Sequence, residues 1–448
     1  MDRFDVIVIG MGPGGEAAAW RLLQAGKRVA VVERELIGGE CAYWACIPSK
    51  TLLRAPEAKA EAARAAGVAT PGLDWPELRG YRDYMVRHLD DAAQVRGYEQ
   101  AGATVIKGEA RLAGPGKVEA NGELLEAEHV LIATGSQPLR PAIDGLDRVP
   151  VWTNREATAV RDIPGQVLLI GGSAVGVELG LFYARMGSRV TVVQRAGRLI
   201  DREDPRVGEL ARDALAAEGV TVHTGRTAAR ARPVGGGAVL TLDDGTETEA
   251  DVVILGAGRR PATAGLGLDA AGVTLTGRGG IAVDDRCQAG EGLWALGDVT
   301  GVALFTHVAT YQGRVVADNI LGRDRAASYH GIPRVVFADP EIAATGYTSR
   351  QARDRGIEVV TAEVALADAI GRPWTYERDP RGTLGLLADR HRRVLVGAWA
   401  VAPLASEWIH QAALAIRTQI PIATLLDQVA QFPTYSEAYL AGLEQLDL

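Results

Sequence analysis

The sequence predicts an α/β protein made of two successive strand–glycine turn–helix–strand units and a C-terminal α+β segment. Three observations carry that expectation. An apolar run of strand length, Asp5 to Ile9, leads into Gly10-Met11-Gly12-Pro13-Gly14-Gly15. The same order returns at Leu168-Leu169-Ile170, followed by Gly171-Gly172-Ser173-Ala174-Val175-Gly176. From about Ile332 the chain changes to apolar runs such as Arg334 to Ala338 and Val394 to Val401, which read as antiparallel strands.

In the first unit, the glycine turn opens an alanine-rich helical stretch, Glu16 to Ala25, and a second strand, Arg28 to Val32, ends at Glu33. This is the Rossmann dinucleotide fingerprint in its expected context. Gly10 permits the tight turn, Gly12 lets backbone approach a pyrophosphate, and Gly15 lets helix pack on strand. The helix N-terminus then offers unpaired N–H groups to the phosphates. Glu33 stands about 20 residues on, placed to accept hydrogen bonds from a ribose hydroxyl pair.

Gly38 to Lys50 follows, reading Gly-Gly-Glu-Cys-Ala-Tyr-Trp-Ala-Cys-Ile-Pro-Ser-Lys. It holds Cys41 and Cys46, two of the three cysteines. Two close thiols can cycle between dithiol and disulfide and store two electrons; buried cysteines can equally be inert small hydrophobes. Residues about 50 to 95 alternate apolar and charged positions at helical spacing, suggesting two surface helices. Asn121-Gly122 marks a hairpin, and the strand His129 to Ala133 breaks at Thr134-Gly135-Ser136-Gln137-Pro138.

Superposing Gly10 on Gly171 places Gly15 on Gly176 and Glu33 on Gln194. An acid at this position repels a 2′-phosphate; a neutral residue followed by Arg195 and Arg198 attracts one. The second unit therefore reads as an NADPH site, with two solvated surface arginines as the alternative. Ser173 replaces the middle glycine, which would crowd the pyrophosphate slightly. A second hairpin is expected at Asp244-Gly245, then the strand Val252 to Leu255 and the turn Gly256-Ala257-Gly258. Asp298 follows a short strand in Gly292 to Asp298, where it could meet a polyol hydroxyl. An amphipathic helix from about Ser406 to Arg417 and a final helix after Pro433 complete the chain.

Composition narrows the function classes. With 448 residues and 47% apolar content there is enough chain for about three domains. A net charge of -8 without long basic runs argues against nucleic acid as a partner. No window approaches about 20 uninterrupted apolar residues, so no transmembrane helix and no membrane partner are expected. Val6-Ile7-Val8-Ile9 is too short for a signal-peptide core. Three cysteines make no secreted disulfide framework, which points to the cytoplasm. No metal is expected.

With these residues in view, the whole chain resembles the flavoprotein disulfide reductases, the group of glutathione reductase, dihydrolipoamide dehydrogenase and mercuric reductase. The likeness runs from the first fingerprint to Pro433-Thr434-Tyr435-Ser436-Glu437. It implies FAD on the first unit, a pyridine nucleotide on the second, which the residues at Gln194, Arg195 and Arg198 make NADPH in preference to NADH, and a C-terminal dimerisation domain making a homodimer. The implied domains are 1–148 and 266–330 for FAD, 149–265 for NAD(P)H, and 331–448 for dimerisation. Carried over by residue, Gly10, Gly12, Gly14, Gly15, Glu33, Thr134 and Gly135 would hold FAD. Asp298 would bind its ribityl chain, with His307 and Val308 near the ring system. Gly171, Ser173, Gly176, Gln194, Arg195, Arg198 and Gly258 would hold NADPH. Cys46 would be the thiolate beside the flavin, Cys41 the thiol attacking a small disulfide substrate, and Lys50 the flavin-proximal lysine paired with Glu178. A lysine there stabilises negative charge on reduced flavin.

Two departures stand out. The resemblance implies a histidine before Pro433, paired with Glu437, but Phe432 stands there and can neither take nor give a proton. Such a general acid/base typically contributes about 10²–10⁴-fold in rate. Of the seven histidines none lies in the terminal motif, His410 reads as a packing or interface residue, and Tyr435 and Tyr439 read as packing residues, with proton donors as the alternative. Between the cysteines, Tyr43 and Trp44 are bulkier than the family's usual residues; they would narrow access, stack a flat substrate, or pack beside the flavin. Mercuric reductase also lacks the histidine but needs a C-terminal cysteine pair, and no cysteine follows Cys287. Three readings therefore stand: an NADPH-dependent disulfide reductase, a reductase of quinones or similar acceptors working directly from the flavin, and a flavin-bearing redox sensor or binding subunit.

Overall fold

Val6, Ile7, Val8 and Ile9 are buried on both faces, the pattern of a central parallel strand. In the computed structural model, which describes residues 3–448, their strand Arg3–Ile9 runs parallel to Val29–Glu33 on one side and Glu123–Ile132 on the other. Thr104–Lys107 extends the sheet beyond Val29–Glu33, and Leu293–Ala295 extends it beyond Glu123–Ile132. Helix Pro13–Gln24 buries Ala18, Ala19, Leu22 and Leu23 and lies against helix Thr306–Ile320. Their approach needs a glycine at Gly313, where a Cβ would stand 2.4 Å from the Gly14 carbonyl oxygen. These elements belong to a unit formed by Met1–Pro48, Gly80–Leu139 and Gly258–Ser328.

The second unit comprises Ser49–Arg79, Arg140–Ala257 and Tyr329–Leu448. Its parallel sheet is centred on Gln166–Ile170, flanked by Arg189–Gln194 and Val252–Leu255, with helix Ala174–Arg185 crossing between the first two strands. A three-stranded antiparallel sheet, Ala228–Val234, Gly237–Leu242 and Glu247–Ala250, is inserted before the last of these. The C-terminal part is a five-stranded antiparallel sheet in the order Arg334–Val336, Glu341–Gly346, Val394–Ala402, Thr383–Asp389, Val359–Ala365. Helices Ala405–Thr418 and Glu437–Glu444 cover it, burying Trp408, Ile409, Tyr439 and Leu443. Tyr435 stacks on Trp408, and the Tyr439 hydroxyl donates to the Trp408 carbonyl, so both tyrosines are packing residues.

Both hairpins form where the turn residues placed them. Ala120 pairs with Glu123 across Asn121 (φ 50°) and Gly122 (φ 82°), a two-residue turn in the left-handed region. Thr241 pairs with Glu247 around Gly245 (φ 85°).

The stretch from 50 to 95 differs from expectation. Three helices touch it, Cys46–Arg64, Trp75–Met85 and Ala92–Gln100, and the first starts at Cys46 and buries Leu52 and Leu53, so it is no surface helix. Pro48 suits its first turn, where no N–H is needed. Between the second and third helices, Arg87, His88 and Leu89 have φ of 53°, 51° and 59°. Left-handed backbone is unfavourable by about 1–2 kcal/mol per non-glycine residue, and here three follow one another.

In the second unit, Asp339 is buried among three guanidinium groups: Arg64 at 3.0 Å, Arg185 at 2.7 Å and Arg381 at 2.9 Å. Glu377 joins the cluster, accepting from Arg64 at 2.7 Å. Burial disfavours the Asp339 charge, but Arg381, Arg185 and Arg64 outweigh it and hold the carboxyl below its ordinary value. Among the described residues no helix is long and apolar enough to cross a membrane.

Candidate active site

The first glycine turn is shaped by backbone contacts. At Gly10 (φ 94°) a Cβ would meet the Ala133 carbonyl at 2.6 Å, and at Gly15 it would meet the Gly10 carbonyl oxygen at 2.1 Å. At Gly12 a Cβ would meet nothing within 4 Å, so the turn presents open backbone there. Helix Pro13–Gln24 starts at Gly12 without a side-chain cap. Glycine turn and uncapped helix start together fit the pyrophosphate of a dinucleotide. Glu33 ends the next strand; its Oε2 accepts from Met11 N at 2.7 Å and its Oε1 from Glu35 N at 2.7 Å. Each oxygen keeps a second lone pair for a ribose hydroxyl.

Asp298 lies in a short 3₁₀ turn, Gly297–Thr300, after strand Leu293–Ala295. Its Oδ2 accepts from Ser136 Oγ at 2.6 Å, and Arg259 Nε donates to that hydroxyl at 2.7 Å. Burial pushes the carboxyl above its ordinary value, with Ser136 and Arg259 pulling the other way. Thr134 and Gly135 fix the neighbouring backbone: Thr134 Oγ1 donates to the Ala262 carbonyl and Ala262 N to the Gly135 carbonyl, each at 2.9 Å.

Cys41 sits in the short helix Gly39–Tyr43, and Cys46 is the first residue of helix Cys46–Arg64; both are half-buried. Cys46 Sγ lies 3.3 Å from Thr306 Oγ1. Thr306 in turn opens helix Thr306–Ile320, which carries exposed His307 and buried Val308 in the same turn. Cys46 therefore stands at one helix N-terminus and beside a second, a setting that favours thiolate. Thr306 escaped the sequence reading; its only signal was its place next to His307.

Lys50 and Glu178 meet within the second unit. Lys50 Nζ donates to Glu178 Oε2 at 2.6 Å, and Phe337 N donates to Glu178 Oε1 at 3.0 Å. The ammonium also lies 4.8 Å from the centre of the Phe337 ring. Phe337, which nothing local in the sequence marked, closes this three-residue arrangement. Glu178 is on helix Ala174–Arg185, whose start repeats the first turn: a Cβ at Gly176 would meet the Gly171 carbonyl oxygen at 1.9 Å.

At the second turn, Gln194 Oε1 accepts from Gly172 N at 3.1 Å. Ser173 turns its hydroxyl to the Gly256 carbonyl at 3.2 Å and does not cap the helix. Arg195 is exposed, whereas the Arg198 guanidinium donates to the carbonyls of Asp201 and Glu203 at 3.0 and 3.4 Å. The two arginines are thus unlike: Arg198 is tied to its own loop. Gly258 (φ 113°) belongs to the first unit, where Leu139 N donates to its carbonyl at 2.9 Å.

In the terminal motif, Glu437 Oε2 accepts from Thr434 N at 3.0 Å, a local turn-closing bond. Phe432 is 69% exposed in the single chain and carries no ionisable group, so the histidine's place offers Glu437 no acid–base partner. His410 is exposed on helix Ala405–Thr418.

Residues 4–313 match the family model described as pyridine nucleotide-disulphide oxidoreductase, and residues 332–441 match that family's dimerisation domain. The chain belongs to the pyridine nucleotide-disulphide oxidoreductases. This oxidoreductase is 36% identical to a dihydrolipoyl dehydrogenase of Thermus scotoductus over an alignment covering 100% of this chain and 98% of that one. It is also 36% identical to a mercuric reductase of Streptomyces lividans, covering 97% and 94%. Among solved structures it resembles the HOCl-induced flavoprotein disulfide reductase RclA from Escherichia coli, with TM-score 0.87, 26% identity and coverage of 98% of this chain and 99% of that one. LpdA from Mycobacterium tuberculosis is similar to much the same degree, with TM-score 0.88, 26% identity and coverage of 99% of each chain. Members of the family use FAD and a pyridine nucleotide, and the dimerisation domain indicates a homodimer of this flavin-dependent oxidoreductase.

Proposed function

We propose that this oxidoreductase is an NADPH-dependent reductase of a small disulfide, working in the cytoplasm through Cys41 and Cys46. The observation that supports it most is the setting of Cys46, at the start of helix Cys46–Arg64 and 3.3 Å from Thr306 Oγ1. The chemistry that bound FAD would supply is the relay of two electrons from a hydride donor to a sulfur pair. On this reading Gly10, Gly12, Gly14, Gly15 and Glu33 would hold the adenosine and pyrophosphate of FAD, Thr134, Gly135 and Asp298 would hold its middle, and His307 and Val308 would serve its ring system. The FAD domain spans 1–148 and 266–330, the nucleotide domain 149–265 and the dimerisation domain 331–448. Thr306 holds the Cys46 thiolate by donating to it, and Lys50, fixed by Glu178, places a positive charge where negative charge develops. Cys41, the outer thiol, attacks one sulfur of the substrate; the other sulfur leaves as a thiol, and Cys46 displaces the first from the mixed disulfide.

For the pyridine nucleotide, Gly171, Ser173 and Gly176 shape the turn, Gly258 would join the site from outside it, and neutral Gln194 with exposed Arg195 favours a 2′-phosphate. Arg198 contributes positive field but its guanidinium is engaged. Glu437 has no histidine to orient and acts as a turn acceptor.

A second reading, reduction of quinones directly from the flavin, is favoured by the presence of Phe432, because that chemistry needs no acid–base residue there. Cys41→Ser separates the two. Loss of NADPH-dependent reduction of a small disulfide, with flavin loading intact, supports the first reading. Undiminished reduction of every acceptor tested would leave the cysteines off the electron path and refute it.

A further inference from the structure

The left-handed turn at Arg87, His88 and Leu89 closes onto the loop that carries Cys41. Arg87 Nη1 donates to the Tyr43 hydroxyl at 3.2 Å, and its guanidinium carbon lies 5.6 Å from the Tyr43 ring centre. The Tyr43 hydroxyl donates its own proton to the Ile37 carbonyl at 3.1 Å. The N–H of that same Ile37 donates to Asp91 Oδ2 at 2.7 Å. Arg87 and Asp91 thus grip the loop from both ends of one turn, with the backbone between them completing the circuit Arg87–Tyr43–Ile37–Asp91. Tyr43 is 2% exposed and its ring fills the space beside Gly38, where a Cβ would lie 3.1 Å from it. Burial pushes the phenol further up, so its proton stays committed to Ile37. Strained backbone persists only where its surroundings over-determine it, and it gathers at functional sites.

We propose that Arg87 is a positioning residue that holds helix Gly39–Tyr43 through Tyr43 and thereby sets the thiol–disulfide equilibrium of Cys41 and Cys46. The inference rests on the reading that these two cysteines form the redox pair. A held helix keeps Cys41 where it can meet Cys46, which favours the disulfide. A released helix favours the dithiol and makes the pair easier to reduce.

The test uses the full-length, FAD-loaded protein equilibrated in dithiothreitol redox buffers, then alkylated, with the oxidised fraction of the Cys41–Cys46 peptide read by mass spectrometry. Arg87→Met and Tyr43→Phe should each shift the equilibrium toward dithiol by about tenfold, about 30 mV for a two-electron couple. Their combination should add little to either alone, because Arg87 acts through Tyr43. Arg87→Lys, which keeps the charge over the ring without the fork, should fall between Arg87→Met and wild type. An equilibrium within about twofold of wild type in both Arg87 variants overturns the inference, as does full additivity in the double variant. A wild-type protein that forms no Cys41–Cys46 disulfide overturns the underlying redox reading instead, so the two failures are distinct.

Discussion

Thr306→Val removes one hydroxyl beside Cys46 and keeps the shape of the side chain. A hydrogen bond to a charged acceptor contributes about 1.5–3 kcal/mol. Cys46 is half-buried, so water replaces part of the lost bond and the lower end applies. The positive end of helix Cys46–Arg64 stays in place and supplies a further ~0.3–1 kcal/mol that the substitution does not touch. The expected result is about a tenfold smaller thiolate population at mildly acidic pH, since 1.36 kcal/mol corresponds to one tenfold change. Iodoacetamide capture by the protein with its Cys41–Cys46 pair reduced, measured at pH ~6 and followed on the Cys46 peptide, reads this population directly. Cys287, fully buried, serves as the internal control for global unfolding. A Cys46 rate within twofold of wild type, with Cys287 still protected, would refute the claim that Thr306 stabilises the thiolate.

Four further outcomes follow from geometry already described. Asp339→Ala leaves Arg64, Arg185 and Arg381 facing one another, and breaking a buried pair destabilises by about 3–5 kcal/mol; Glu377 still pairs, so about 3 kcal/mol is expected in urea unfolding. Because the Asp339 carboxyl is held below its ordinary value, this stabilisation is present at neutral pH and lost as pH falls from the ordinary value through the lowered one, which the wild-type urea midpoint should report. Asp298 is the opposite case: its carboxyl is raised by burial, so the folded state gains as pH falls and loses as pH rises through the raised value. Thermal unfolding of flavin-free protein should show wild type gaining on Asp298→Asn as the buffer is made more acidic. Arg195→Ser should lower kcat/KM for NADPH by about 5- to 10-fold, the effect of one exposed charge-assisted phosphate contact, while the NADH value stays put in the same steady-state assay.

The glycine turns were legible because their constraints are local. Gly10 and Gly171 each face a carbonyl oxygen that leaves no room for a Cβ, and the strands and helices around them follow from short apolar runs. The hairpins at Asn121-Gly122 and Asp244-Gly245 were legible for the same reason. Side-chain meetings across long stretches of chain were not. Thr306 reaches Cys46 and Phe337 reaches Glu178 only because separate elements pack together, and no spacing within either segment records it. The Lys50–Glu178 pairing comes from family resemblance alone, since neither residue stands in a pattern that names its partner. The helix beginning at Cys46 reads as a surface element in sequence because charged residues on its outer face mask the buried Leu52 and Leu53.

Glu33 and Gln194 occupy equivalent places in the two repeats and do the same local job. Each offers one side-chain oxygen to the amide just after the first glycine of its turn, Met11 N in one case and Gly172 N in the other. The rest of the side chain differs by a single atom, oxygen against an amide nitrogen. The second end of each side chain is tied to its own loop as well, Glu33 Oε1 accepting from Glu35 N at 2.7 Å and Gln194 Nε2 donating to the Arg198 carbonyl at 3.4 Å. A duplicated template of this kind keeps its turn-closing bond through an exchange of acid for amide, while the far end of the side chain switches from accepting a loop amide to donating to a loop carbonyl.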